Sequence, residues 1–314
     1  MTTTSTPSRH VILGAGPVGR AVATALLARG LQPTVVTRSG TAVPRAISHR
    51  ADLGDPAQAT LAVAGAEVVF QCAQPPYHRW PQEFPALQAR AVDAAAAAGA
   101  LLVVAENLYG YGPVRGPLTE DLPLAATTRK GATRAEMWHD LEAAHRAGRL
   151  RVLAARASDF FGPGVDGSAA GDRFFGALTK GKRVEVIGDP ERRHTYTYVG
   201  DFGEAMVRLS EQPEAWGRAW HVPNAPTVTT RAFAERAAAI AGTDLRLRRI
   251  ARWQLRLLGL AVAPIRETVE LLYEFEEDFV VDHTAYAELL GDHATPLDDA
   301  LTATIASYRT PADR

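Results

Sequence analysis

The chain has 314 residues, of which 46% are hydrophobic and 22% charged, with a formal net charge of −1. That balance supports one large globular core or a core with an appended lobe, and it gives no reason to expect nucleic acid or an anionic membrane as a partner. A single cysteine, Cys72, cannot close an internal disulfide, so a reducing cytoplasm is the expected location.

Residues 1–9 are rich in Thr and Ser without an apolar run, which predicts a disordered tail and not a signal peptide. His10-Val11-Ile12-Leu13 predicts a strand that ends at Gly14. Residues 18–28 carry Val18, Val22 and Leu26 at helical spacing and stop at Gly30. Strands follow at 34–37, 68–72, 101–105 and 151–155, with helices at 56–63, 85–98 and 132–146 between them. Continuous apolar strands separated by helices predict a parallel sheet covered on both faces. Right-handed crossovers make it an α/β, doubly wound Rossmann sheet.

Beyond Phe160 the rhythm shortens. Gly162-Pro163-Gly164 and Asp166-Gly167 read as loops. A helix near 173–179, strands at 184–187 and 196–199, and a helix at 201–210 capped by Asp201 are expected next. A strand at 220–222 and helices at 231–241, 253–260, 266–276 and 297–308 complete the chain. The expected organisation is a nucleotide-binding domain at 10–158, joined by a return of the region 195–222. Residues 159–314 mainly form a smaller, interwoven C-terminal substrate lobe.

Gly14-Ala15-Gly16-Pro17-Val18-Gly19 lies between a predicted strand and a predicted helix, the setting in which such a glycine pattern binds a dinucleotide. Gly14 permits the tight turn, Gly16 lets the pyrophosphate approach, and Gly19 lets the helix pack closely; Pro17 and Val18 begin the helix whose N-terminus faces the phosphates. After the second strand stands Thr37-Arg38-Ser39, where an NAD site usually has an acid. Arg38 and Ser39 suit a 2′-phosphate and favour NADP(H), the plain alternative for Arg38 being a solvated loop residue. Asp52 and Leu53 suit the adenine edge, and Cys72-Ala73-Gln74 should run along the cofactor.

With these residues on the page, the chain resembles the extended short-chain dehydrogenase/reductases, the NAD-dependent epimerase/dehydratase family. Further markers are Asn107-Leu108-Tyr109-Gly110, Asp159-Phe160-Phe161-Gly162-Pro163 and His194-Thr195-Tyr196-Thr197-Tyr198-Val199-Gly200-Asp201. The resemblance implies a Ser or Thr, a Tyr, and a Lys one helical turn later. Here those positions hold Ala105, Lys130 and Arg134. This replaced set resembles the simocyclinone-type angucyclinone ketoreductase subgroup, which implies a role in antibiotic biosynthesis on polyketides. Arg134 can still donate to the nicotinamide ribose, with Asn107 and Phe160 nearby.

Hydride addition to a ketone leaves an alkoxide that needs a proton. Three sources are open: Lys130, a water held by Asn107 or Thr133, or a phenol on the substrate itself. The last is preferred because Ala105 removes a polar group, and a solvent-facing Lys130 at a helix start is the bland alternative. Tyr109, Phe161, Phe175, His194 and Tyr273 are the expected substrate contacts. Trp253, Leu255, Leu257, Leu258 and Leu260, with Leu271, Leu272, Tyr273 and Phe275, read as two apolar helices covering a flat ligand, or as ordinary core or a subunit contact. No metal site is indicated, since His139 and His145 lack ligand spacing.

The expectation is an NADPH-dependent ketoreductase for a bulky aromatic metabolite, with a small molecule as partner, as monomer or homodimer. A non-catalytic NADP(H)-binding redox sensor, or a nucleotide-sugar epimerase or dehydratase, are the alternatives.

Overall fold

A computed structural model describes residues 9–261 and 269–309. The expected tail, apart from Arg9, and positions 266–268 of the expected helix at 266–276 lie outside the described residues. The chain begins β1 (His10–Leu13), α1 (Pro17–Ala28), β2 (Thr34–Thr37), β3 (Ile47–Arg50), α2 (Pro56–Val63), β4 (Val68–Gln71). It continues α3 (Trp80–Ala98), β5 (Leu101–Asn107), α4 (Arg129–Arg146), β6 (Arg151–Ala157). Then come β7 (Asp159–Phe161), β8 (Val184–Ile187), β9 (Arg193–His194), β10 (Tyr196–Tyr198), α5 (Val199–Ser210) and β11 (Ala219–His221). Last are β12 (Val228–Thr229), α6 (Thr230–Ala241), β13 (Leu247–Ile250), α7 (Arg252–Ala261) and short helices up to Leu297–Arg309.

Seven parallel strands form one sheet in the order β11-β6-β5-β4-β1-β2-β3. Its interior strands are Val-, Ile- and Leu-rich without alternation because both faces are covered. Ala59, Ala91 and Trp138 of α2, α3 and α4 pack on one face, and Val22 and Phe202 of α1 and α5 on the other. Strand order reverses between β1 and β4, which opens a crevice at the C-terminal strand ends.

α3 and α4 start earlier than their apolar spacing indicates. Tyr77, Trp80 and Phe84 meet edge to face in series at 5.0 and 5.2 Å, and this packing holds the first turn of α3 despite Pro85. Thr128 Oγ1 caps α4 by accepting from Gly131 N at 3.2 Å. Asp201 does not cap α5, which begins two residues before it. Its carboxylate instead accepts from Thr295 N at 2.8 Å and Thr295 Oγ1 at 2.6 Å, tying the C-terminal loop to the sheet domain.

The smaller lobe has its own core of Phe161, Phe174, Phe175 and Phe233, with α6 and the helix Leu297–Arg309 around it. Backbone bonds sew it to the sheet domain: Leu118 N donates to Val280 O at 2.8 Å and Asp282 N to Leu118 O at 2.9 Å. Among the described residues, no helix is long and apolar enough to cross a membrane.

Candidate functional site

The glycine turn sits at the mouth of the crevice. Gly14 has φ +103°, and a Cβ there would stand 2.8 Å from Ala73 N, so the turn lies directly against the end of β4. A Cβ on Gly19 would meet Gly14 O at 2.1 Å, which fixes α1 onto the turn. Gly16 differs: among the described residues no atom lies within 4 Å of a Cβ there, and it is exposed at the start of α1. An open cradle of backbone at a helix N-terminus, with Pro17 and Val18 in its first turn, fits a diphosphate.

Arg38 and Ser39 are exposed at the end of β2. Beside them the exposed Arg50, which sequence reasoning missed, donates from Nε to Arg38 O at 3.1 Å. Asp52 is exposed, but Oδ1 already accepts from Gly54 N at 2.9 Å, and Leu53 is buried in the core. Cys72 and Ala73 are half-buried and Gln74 exposed along the crevice, and burial pushes the Cys72 thiol up. Phe160 is half-buried against Phe202, with ring centroids 4.9 Å apart.

Charge lies under the crevice, inside the sheet. β5 and β6 register Glu106 beside Arg156, and Arg156 Nε donates to Glu106 Oε2 at 3.0 Å. Arg134 Nη2 lies 3.4 Å from Glu106 Oε1 and donates to Ala105 O at 3.2 Å. All three charged side chains are at most 4% exposed. Two guanidiniums against one carboxylate leave an excess positive charge, and Arg134 Nε and Nη1 have no hydrogen-bond partner among the described residues. Unused buried donors on Arg134 fit the ribose hydroxyls of a bound cofactor. Arg156 Nη1 also donates to Tyr111 Oη at 2.7 Å, and that hydroxyl lies 2.8 Å from His221 Nε2. The visible signal was a Glu and an Arg inside two otherwise apolar central strands.

Lys130 is fully buried and does not face solvent. Its Nζ donates to Glu270 Oε1 at 3.1 Å, while Arg129 N donates to Glu270 Oε2 at 2.8 Å. Glu270 thus clasps the first turn of α4 from the other lobe, where a carboxylate also meets the helix dipole. Lys130 Nζ lies 4.6 Å from the centroid of the Tyr77 ring, and Tyr77 and Tyr109 pack against the same cluster of Trp80, Phe84 and Met137. Burial raises both phenols above their ordinary range. Asn107 Oδ1 accepts from Tyr109 N at 3.2 Å, and Thr133 Oγ1 donates to Arg129 O at 2.8 Å, so both are occupied locally. Tyr77 was missed because a lone tyrosine after two prolines carries no spacing signal.

His194 is 2% exposed, with Nδ1 3.1 Å from Glu274 O and Nε2 2.9 Å from Asp159 Oδ2. Phe275 stacks on it at 5.0 Å. Glu274 is 3% exposed, and burial, with the Asp159 charge second, pushes its carboxyl well above the usual carboxylate range. Among the described residues, its Oε1 and the half-buried Tyr273 hydroxyl make no hydrogen bond of normal geometry. Phe161 and Phe175 point into the lobe core, at 1% and 0% exposure, and not into the crevice. The expected apolar cover is also different: Leu255 and Leu271 are buried, but Trp253 and Leu257 are 63% and 59% exposed on α7. The side chains of Leu258 and Leu260 lie outside the described residues.

Residues 10–222 match the sequence profile of the NAD dependent epimerase/dehydratase family. No curated protein matches the chain. UDP-glucose 4-epimerase of Thermus thermophilus, solved with NAD, superposes with a TM-score of 0.77 at 20% identity over 97% of this chain and 100% of that one. The dTDP-glucose 4,6-dehydratase DesIV of Streptomyces venezuelae gives 0.77 at 19% identity, covering 96% and 97%. UDP-N-acetylglucosamine 4-epimerase of Bacillus cereus gives 0.77 at 14%, covering 98% of each. These likenesses concern the fold.

Proposed function

The chain belongs to the NAD dependent epimerase/dehydratase family, and from that premise we propose that it is an NADPH-linked carbonyl reductase for a bulky aromatic metabolite of polyketide type. The observation that carries this reading is an intact glycine turn combined with Ala105 and an ion-paired Lys130 at the β5 and α4 positions. An epimerase or dehydratase must remove a proton and return it, whereas a reductase need only supply one. The likeness to the simocyclinone-type subgroup rests on the same replacements.

When bound, the cofactor supplies the hydride. Gly14, Gly16 and the first turn of α1 would hold the diphosphate. Arg38 and Arg50 would hold a 2′-phosphate, and Arg134 would donate to the nicotinamide ribose. Tyr109 and Tyr273 would meet substrate, beside the buried polar cluster of Asp159, His194 and Glu274. The proton comes from outside the Ala105 and Lys130 positions.

A second reading, conversion of a sugar nucleotide, is favoured by the full-length likeness to epimerases and a dehydratase. The test is a fluorescence titration of NADPH against NADH, then an NADPH-oxidation screen over polycyclic quinones and sugar nucleotides. The proposal expects tighter NADPH binding and turnover only on the aromatic carbonyls. Sugar-nucleotide conversion with catalytic NAD+ would establish the second reading, and tight binding without turnover would leave a redox sensor. Arg38→Ala or Arg50→Ala is expected to weaken NADPH by about tenfold with NADH little changed, roughly one lost charge-assisted contact.

A further inference from the structure

A carbonyl that accepts hydride must also accept a proton, and few groups near the crevice have one to give. The Lys130 ammonium is bound to Glu270. Glu274 and His194 are almost wholly enclosed, at 3% and 2% exposure. Tyr77 is different. It lies five residues beyond Cys72, on the segment whose backbone, at Ala73, lies against Gly14, and its ring meets Lys130 of α4. That ring is half-buried, edge-on to Trp80.

We propose that Tyr77 is the proton donor, with Tyr109 as its relay and Lys130 as the cation that steadies its ring: a half-buried phenol packed on the same aromatic cluster as a second phenol, under an ammonium 4.6 Å from its centroid. This rests on the hydride-transfer reading and names the donor that reading requires. As hydride from the reduced cofactor reaches the carbonyl carbon, the C=O π pair moves onto oxygen. The Tyr77 O–H bond breaks, an O–H bond forms on the product alcohol, and Tyr77 is left as phenolate. A proton from Tyr109 refills it, and Tyr109 recovers one from water. A phenolate spreads charge into its ring, so a cation on the ring face favours it. Burial raises both phenols, which keeps them protonated at neutral pH but weakens each as an acid, and the ammonium on the Tyr77 ring face works against that weakening. The groups facing Tyr77 are Tyr109 after β5, Lys130 on α4, Asp159 on β7, and Glu270 and Glu274 from the lobe; the three carboxyl groups oppose phenolate and Lys130 favours it.

The test uses NADPH with 9,10-phenanthrenequinone as probe. Tyr77→Phe should lower kcat by about a hundredfold or more while the NADPH Kd stays within about twofold. It should also abolish the D2O effect on kcat expected of the wild type, which a purely structural residue would not control. Tyr109→Phe should lose less, and His78→Ala, an exposed neighbour on the same segment, should lose nothing. Independently of turnover, the Tyr77 ζ-carbon signal in 13C-tyrosine spectra, assigned by its loss in Tyr77→Phe, should move in Tyr109→Phe and on adding NADP+. An active wild type with an equally active Tyr77→Phe overturns the donor and leaves the reductase standing; as this quinone has no phenol of its own, water then supplies the proton. A Tyr77 signal indifferent to Tyr109 and cofactor also overturns it. A wild type that binds NADPH yet oxidises none with any carbonyl overturns the reductase reading, and the donor with it.

Discussion

Gly16 and His221 show how a single position separates binding from folding. Gly16 has φ −68° and open space where a Cβ would project, so alanine fits the fold and intrudes only on a ligand. Gly16→Ala should leave Tm nearly unchanged and weaken NADPH by about tenfold or more, read by fluorescence titration. His221 is buried between Tyr111 Oη and Asp282 O, the latter 2.9 Å from Nδ1, and burial pulls its imidazole down to about 4. The unfolded chain therefore takes the proton first. The contribution is complete above the ordinary histidine value near 6.5 and is lost as pH falls from there towards 4. Denaturation midpoints should drop across that window by the equivalent of about 3 kcal/mol at most, and His221→Gln should flatten the slope.

At the scale of elements, α1 and α5 meet backbone to backbone. A Cβ on Gly203 would lie 2.5 Å from the carbonyl carbon of Ala21, so Gly203→Ala must push α5 away from α1. Overpacking of this kind costs about 1–3 kcal/mol, and a thermal melt should show it. The regular elements were legible where apolar runs and spacing agreed, as in β1, α1, β4 and β5. Starts of α3 and α4 were not, because edge-to-face ring packing at Trp80 and the Thr128 cap act across or just before the periodic segment. Asp201 looked like a cap from its place before an apolar run, but its partner Thr295 is 94 residues away. The glycine turn was readable. The approach of Tyr77 and Glu270 to Lys130, and of Glu274 to His194, was not, since it joins separate segments only through tertiary packing.

At the scale of the whole molecule, the two lobes share one fabric. Strand β11 pairs with β6 in the main sheet, and His221 N donates to Glu120 Oε1 at 2.9 Å. Unfolding should accordingly be a single transition when followed by both tryptophan fluorescence and far-UV circular dichroism. The Glu270 clasp on α4 carries a further consequence. Glu270 belongs to one lobe and the helix it grips to the other, so occupancy of the cleft and closure of the grip are reciprocal. Any ligand that tightens the grip by a given factor is itself held more weakly by that factor once Glu270→Gln loosens it. Substrate affinity is thereby written partly in a residue that substrate need never touch.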